Sequence, residues 1–543
     1  MRWIRPLSAQ VEETAETLGG KAHGLVVLHR LGLRVPAGFV VTTEACREFL
    51  REGRLPDGLD DELATAVTDL EASTGRHFGG SRVPLAVSVR SGAGVSMPGM
   101  MNTVLNLGLT TGATAGLAAE TGDSRFALNS RLRFLSSFAS AITGLDADGA
   151  GAVLGRAPGR GAGDEEAHLT RGIEAVENLI RQRCGRPLPD DATQQLELAV
   201  KTVLSSWDTP RARTYRELHD VPHDLGTAAI VQAMVFGNRD DHSGTGVAFS
   251  RDPNTGENVP FGEVLFGHQG EDVVSGRALT RPLRELADRE PAVWTGLLDA
   301  LSRIEGHYRD ACYVEFTFQT GELWILQVRP GRFVGGAAVR VATDLADERV
   351  IGHHEALLRV SPRHLQHVRT PRMATTEKTD ILARGLGACP GVAVGKVATT
   401  ADAAARMAMD GPVILVRPET SPHDMRGLAA ATGIVTARGG PASHAAVVAR
   451  AMGKPAVVGI ADLAVDVAGA SVSARGRTIG EGTLVTIDGT SGEVALGSPR
   501  IVTATADAHL HRLLQWADDV SGDHSDRDEA QRLIAAHAVL RHD

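Results

Sequence analysis

The chain has 543 residues, room for three or four domains at the usual size of about 100–200 residues each, and its 43% hydrophobic and 22% charged content is that of an ordinary globular protein. A net charge of −10 and an aromatic content of 4% disfavour nucleic acid or an anionic membrane as a primary partner, because neither a broad basic surface nor a base-stacking surface can be built from them. Cys46, Cys184, Cys312 and Cys389 have no paired spacing for a disulfide framework or a zinc knuckle, no run reaches about 18 apolar residues, and no apolar leader opens the chain, so the expectation is a cytoplasmic protein that neither is exported nor spans a membrane.

Residues 1–110 mix helix signals with short apolar runs. LGGKAHGLVVLHRLG predicts a glycine turn entering a helix that stops at Gly32, and VPAGFVVT and PLAVSVRSG read as buried strands. From 111 to 205 the pattern is helical, interrupted by the flexible loop GRAPGRGAGDEEA. Strand signals return over 206–335, in AAIVQAMVFG, GTGVAFS, YVEFTF and LWILQVRP. Residues 336–380 hold a helical pattern and then the polar stretch TPRMATTEKTD, read as an interdomain linker. Over 381–500, strand-like runs at GVAVGKVAT, VILVRP, GIVTA, AVVGI and LVTIDG surround one clear helix, HAAVVARAMG, and 501–543 is a polar helical tail.

The richest segment is GIVTARGGPASHAAVVARAMG. An apolar strand meets the turn Gly439-Gly440, and a helix begins near Ser443, a good N-cap, and His444. Free backbone N–H groups there can hold phosphate oxygens. The positive end of the helix dipole favours a neutral, nucleophilic imidazole near its reference pKa of about 6.5. A lone histidine at a helix start ordinarily packs the turn; the glycine-rich surroundings are what single out His444.

No P-loop or kinase glycine loop is present. Lys21 in GGKAHG follows two glycines at a helix start, and Arg90 ends a strand that runs into the glycine- and methionine-rich loop SVRSGAGVSMPGMMNT. In YVEFTFQTGELWILQVRP two strands flank a turn. If the turn centres on Gly321, Glu315 faces Gln327 and Tyr313 faces Arg329, all on one side of the hairpin. A carboxylate, an amide and a guanidinium together suit magnesium and polyphosphate.

These segments resemble the pyruvate phosphate dikinase and phosphoenolpyruvate synthase family, the dikinase more closely. The histidine motif, preceded by VILVRPETSPHDMRGLAAATG, resembles the phosphohistidine domain. SVRSGAGVSMPGMMNTVLNLGL, VQAMVFGNRDDHSGTGVAFSRDPNTGE and GHQGEDVVSG resemble the ATP-grasp domain. The resemblance implies a multidomain α/β and α+β protein with an ATP-grasp nucleotide-binding domain and a swivelling β/β/α phosphohistidine domain. The divisions are then a first ATP-grasp lobe (1–110), a helical insert (111–205), a second lobe (206–335), the linker (336–380), the phosphohistidine domain (381–500) and the helical tail (501–543). It also implies that Lys21, Arg90, Glu315, Gln327 and Arg329 are ATP and metal residues, with Glu315 and Gln327 on Mg²⁺. Met97, Gly99 and Met101 belong to the lid loop, Arg133 handles phosphate, and His444 is the catalytic phosphoryl carrier.

The implied reaction loads His444 from ATP bound between two lobes, releases AMP, passes the outer phosphoryl group to phosphate as pyrophosphate, and hands the remaining one to pyruvate or another acceptor. Two departures stand out: Ala442 replaces the usual threonine before Ser-His, and Tyr313 replaces the usual aspartate two residues before the glutamate. The family's C-terminal barrel is not matched, so the expected acceptor site is on a separate barrel-type chain or domain, unless the chain is a fragment. A non-catalytic ATP-binding subunit and a synthase-like enzyme using water instead of phosphate are the competing readings.

Overall fold

The computed structural model describes residues 2–541 apart from 96, 98, 99, 144–161, 219, 275–279, 332, 334, 367, 369, 375–378, 442 and 504–507. Much of the loop expected around 155–167 and the centre of the expected linker lie outside the described residues, as do Gly99 and Ala442. The chain divides into two compact units, Met1–Arg239 with Trp324–Val328, and Asp240–Leu323 with Arg329–Asp543.

In the first unit, strands β1 (Ile4–Pro6), β2 (Gly38–Val41), β3 (Val87–Gly92), β4 (Thr103–Leu107) and β5 (Ala228–Ala233) form an antiparallel sheet in the order β1-β2-β5-β3-β4. Helices α1 (Ala15–Arg30) and α2 (Ser124–Thr143) belong to the same unit, and the expected helix and strand runs occur there. The apolar core joins Val41, Val89, Val104 and Val231 of the sheet to Phe134, Phe138, Val203 and Trp207 of the helices.

The second unit opens on a sheet of β6 (Gly244–Phe249), β7 (Phe261–Phe266), β8 (Arg281–Pro282), β9 (Cys312–Gln319) and β10 (Glu322–Pro330), in the order β8-β7-β6-β9-β10. The middle of β10 groups with the first unit. Residues read as the start of a linker form three helices, Gly335–Asp347, His353–Arg359 and Pro362–Gln366. They share a core with the tail helices Ala508–Ser521 and Glu529–Leu540, through Leu345, Leu357, Leu513 and Leu533. Arg251, fully buried, ties this body to the sheet by ion-pairing with Glu305 and Glu348, each at 2.6 Å.

Residues 381–496 build an eight-stranded mixed sheet from β11 (Ile381–Arg384), β12 (Leu386–Cys389), β13 (Val392–Ala398), β14 (Val413–Arg417), β15 (Gly433–Thr436), β16 (Ala456–Val458), β17 (Leu484–Asp488) and β18 (Glu493–Leu496). Its order is β11-β18-β17-β13-β14-β15-β16-β12, with β13 to β16 parallel and the flanking strands antiparallel. The parallel strands are covered on both faces, which is why VILV, GIVT and AVV are continuous apolar runs rather than alternating ones. The segment holds more than the one helix expected. Ala401–Met407 and Met425–Ala430 are helical too, the first capped by the Thr400 side chain on the Ala403 N–H, a signal easily lost in so short a run.

Candidate active site

Helix α3 (His444–Met452) follows β15 and ends at Gly453, whose φ of 64° supplies the left-handed cap. Ala445, Ala446 and Ala449 are buried, and their small side chains let the helix lie close on the sheet. His444 is the first helical residue. It stands in the loop region after the parallel strands, the usual ligand position of such sheets. Ser443 has N-cap backbone geometry, but its hydroxyl makes no cap bond and is buried without a hydrogen-bond partner among the described residues. The expected side-chain cap is therefore replaced by backbone bonding alone, Val447 N–H to Ser443 C=O at 2.9 Å.

The half-buried imidazole is fixed from the loop after β14. Its Nδ1 lies 3.0 Å from the hydroxyl oxygen of Thr420, itself 6% exposed. The next turn is clasped by Asp424, which accepts from the Ser421 N–H at 2.8 Å and pairs with Arg417 at 3.2 Å. Burial pushes the His444 pKa down to about 4, and the charge of Asp424 opposes that shift. Desolvation thus favours the neutral ring, in the same direction as the helix dipole invoked from sequence. Arg450, on the same helix and 7% exposed, donates to the carbonyls of Ala388 at 2.9 Å and Pro441 at 2.5 Å, bracing the loop that leads into His444.

That loop lies against the face of the β6–β9 sheet. A Cβ on Gly440 would come within 1.5 Å of the Glu263 carboxylate, so a larger residue there requires that buried side chain to shift. Glu263 stands on β7 opposite Val247, and Val247 stands opposite Glu315 on β9. On the same face Tyr313 packs edge-on to Phe249 at 5.0 Å. The Arg329 guanidinium covers the Tyr313 ring at 4.5 Å and donates to Glu315 at 3.0 Å. Tyr313, Glu315 and Arg329 therefore share one face, as the hairpin reading expects. Gln327, two positions before Arg329 on β10, is 9% exposed. Burial, reinforced by Glu315 and opposed by Arg329, raises the Tyr313 phenol above its ordinary range, so it stays protonated.

In the first unit, Gly19 breaks the helical geometry inside α1 with φ 75°, and a Cβ there would strike the Gly92 carbonyl at 1.7 Å. This close approach places Lys21, in the first turn after the kink, beside the end of β3. Arg90, on β3, donates to Gln232 at 2.5 Å and to the Leu326 carbonyl at 2.9 Å, and Gln232 in turn donates to the Pro36 carbonyl at 3.1 Å. Met97 and Met100 are buried, and Met101 is partly buried, in the core of the unit, where Arg211 donates to the Met100 carbonyl at 3.1 Å. The described part of the expected lid is thus packed inward. Arg133 lies half-buried on α2.

Gln232, Thr420, Asp424, Glu263 and Arg450 escape the sequence reading. Gln232 leaves a trace, an amide inside the apolar run AAIVQAM; Thr420 leaves none, since a threonine before Ser-Pro reads as a turn. Magnesium takes oxygen ligands at about 2.0–2.1 Å and is commonly held by one or two carboxylates plus substrate phosphates. Among the described residues no three His, Cys, Asp or Glu side chains converge on such a site. Glu315 offers one carboxylate, which fits an ion that completes its shell from phosphate and water.

A family model described as pyruvate phosphate dikinase, AMP/ATP-binding domain, matches residues 15–77 and 53–290, together spanning half of the chain. The chain belongs to the pyruvate phosphate dikinase family. A second model, the mobile domain of PEP-utilising enzymes, matches residues 409–492, which include β14, β15 and His444. The chain is 40% identical over 540 residues to pyruvate, phosphate dikinase of Rhizobium meliloti (strain 1021), covering 95% of this chain and 60% of the relative. It is 42% identical over 515 residues to pyruvate, phosphate dikinase 2 of Zea mays, covering 93% and 58%, and 38% identical over 529 residues to the Clostridium symbiosum enzyme, covering 95% and 60%. The chain thus spans about three fifths of the length of these relatives. Among the described residues no helix is long and apolar enough to cross a membrane.

Proposed function

We propose that the chain binds ATP with magnesium and moves a phosphoryl group from it onto His444. The observation that carries this reading is the imidazole at the start of α3, half-buried, neutral, and held through Nδ1 by Thr420. With the Nδ1–H donating to the Thr420 oxygen, the lone pair sits on Nε2, the atom that attacks. The lowered pKa keeps that lone pair free of a proton over the physiological range.

His444 Nε2 attacks the β-phosphorus of ATP, the bond to the α-phosphate oxygen breaks, and AMP leaves. Inorganic phosphate then takes the outer phosphoryl group as pyrophosphate, and phosphohistidine remains. Lys21, Arg90, Arg133 and Arg329 are the proposed phosphate contacts, and Met97, Gly99 and Met101 the covering loop. Glu315 and Gln327 would hold magnesium, which when bound supplies charge neutralisation on the phosphates. What the protein contributes is positioning and fixed positive charge. The phosphoryl group passes next to pyruvate or another small acceptor on a separate domain or chain. The six divisions given from sequence (1–110, 111–205, 206–335, 336–380, 381–500 and 501–543) are proposed as the functional segments, in a cytoplasmic setting.

Incubation with ATP labelled at the β-phosphate, with magnesium and with or without phosphate, tests the reading. Acid-labile label on the protein with AMP release supports it, and pyrophosphate formed only when phosphate is present selects the dikinase route over one using water. Folded protein that binds ATP yet gains no label contradicts it.

A further inference from the structure

We propose that Lys454 is a positioning residue for phosphoryl transfer at His444, acting through the short helix Met425–Ala430 on the loop that holds the imidazole. The inference rests on the reading of His444 as the phosphoryl carrier and names a further residue on which that reading depends.

Lys454 lies two positions beyond the end of α3, just past the left-handed Gly453. Its backbone N–H bonds to the Ala449 carbonyl at 2.9 Å and so helps close α3. Its side chain leaves α3 and reaches the short helix. There the ammonium donates to the carbonyls of Leu428 at 2.9 Å and Ala431 at 2.6 Å, and to that of Ala429. Three N–H groups meet three carbonyls, so the donor capacity of the ammonium is used in full. These carbonyls stand at the C-terminal end of the short helix, where carbonyls lack intrahelical partners and the helix dipole favours a cation. A lysine that is not fully buried ordinarily keeps its head in water; this one is turned inward onto a neighbouring helix.

The other end of the short helix makes this more than a cap. Asp424 is its N-cap residue, yet the carboxylate caps nothing in the helix. It turns back to accept from the Ser421 N–H at 2.8 Å and the Ser421 hydroxyl at 3.2 Å, and it pairs with Arg417 at 3.2 Å. Ser421 follows Thr420, whose hydroxyl meets His444 Nδ1 at 3.0 Å. The short helix is thus tied to α3 at both ends, through Thr420 and His444 at one and through Lys454 at the other. Between the ties, Leu428 packs in one apolar cluster with Ala445, Ala446 and Ala449 of α3. Alanines offer shallow ridges, so this packing sets the distance between the helices and leaves their register to the polar contacts. On its far side Gly427 lies against Ala401, where a Cβ would meet the Ala401 Cα at 2.5 Å. A helix of six residues has too few hydrogen bonds to fix its own geometry. Without the ammonium its end is released, Thr420 shifts with it, and the imidazole loses the partner that selects its tautomer.

The experiment is a double-mutant cycle on the full chain, read by two signals. One is the single-turnover labelling rate at saturating β-labelled ATP. The other is the pair of ring-nitrogen resonances of His444 in nucleotide-free protein, which report its tautomer. Lys454→Met keeps the stem and removes the donors. Labelling is expected to slow roughly tenfold while ATP-analogue affinity stays within about twofold, and the nitrogen pair should move from one protonated and one bare towards the averaged pattern of mixed tautomers. Lys454→Arg returns the charge and the donors in a planar fork and should recover part of the rate. In a Thr420→Val background, where the link to the ring is already cut, Lys454→Met should change the rate by less than about twofold. A lysine that serves only the stability of the fold predicts the reverse, two losses that multiply and a tautomer left as it was. Multiplying losses, or a wild-type nitrogen pattern in Lys454→Met, overturns the inference. A wild-type chain that takes no label overturns the phosphoryl-carrier reading instead, and the nitrogen resonances still decide whether Lys454 holds the ring. Should Lys454→Met fail to fold, Lys454→Gln, which keeps an amide donor on a shorter stem, goes through the same cycle with the same criteria.

Discussion

The hydroxyl oxygen of Thr420 and Nδ1 of His444 lie 3.0 Å apart, joining the loop after β14 to the first residue of α3. This contact fixes the ring orientation and, with Nδ1–H as donor, leaves Nε2 to react. Thr420→Val keeps the shape and removes the acceptor. The labelling rate in a single turnover should fall roughly 10- to 100-fold, the usual cost of a reacting atom left loosely placed, while ATP-analogue affinity is unchanged. An unchanged rate would show that the ring is held by packing alone.

The lowered pKa of His444 has a sign that can be checked. The unfolded imidazole titrates near about 6.5 and the folded one at about 4, so between those values the unfolded chain binds a proton that the folded chain does not. The stabilising contribution is complete above the unfolded value and is lost as pH falls towards the folded one. In the folded chain, the imidazole carbon resonances of His444, followed by NMR, should show no titration down to about pH 5.5. Asp424→Asn removes the charge that opposes the shift and should lower the value further.

Gly440 faces the Glu263 carboxylate so closely that a methyl group there forces that side chain, 2% exposed, to move. Gly440→Ala should destabilise the second unit by about 1–3 kcal/mol, the range for overpacking, in thermal or denaturant unfolding. Combining it with Glu263→Ala should recover part of the loss. Two costs that simply add would place the clash elsewhere.

Gln232 is 2% exposed and bridges Arg90 to the Pro36 carbonyl. Gln232→Leu leaves the guanidinium without its orienting amide. ATP-analogue affinity should fall roughly tenfold, equivalent to about 1.4 kcal/mol, in direct titration. Labelling at saturating ATP should be much less affected.

How much of this was legible beforehand varies with the physics involved. The parallel strands β14 to β16 are visible because burial on both faces forces continuous apolar runs, and α3 is visible because its start and its glycine stop are local signals. The face shared by Tyr313, Glu315 and Arg329 follows from the two-residue period of a hairpin. What is not legible comes from pieces distant in sequence. Thr420 meets His444 across 24 positions, Arg90 meets Gln232 across 142, and Glu263 is set against Gly440 only by tertiary packing. The degree of pKa lowering at His444 is likewise a property of burial, which a motif does not report. The helices after β10 pair with the tail through side chains far away in sequence, as in Thr343 with His509 across 166 positions, and a polar surface pattern hides that core.

The most direct test is the chemical fate of the β-phosphate. Wild-type chain given magnesium and β-labelled ATP should gain one acid-labile, base-stable label, as AMP is released, that maps to the peptide containing His444, and His444→Ala should abolish the label while still binding the ATP analogue. Label that persists in His444→Ala, or that maps to another residue, would contradict the account.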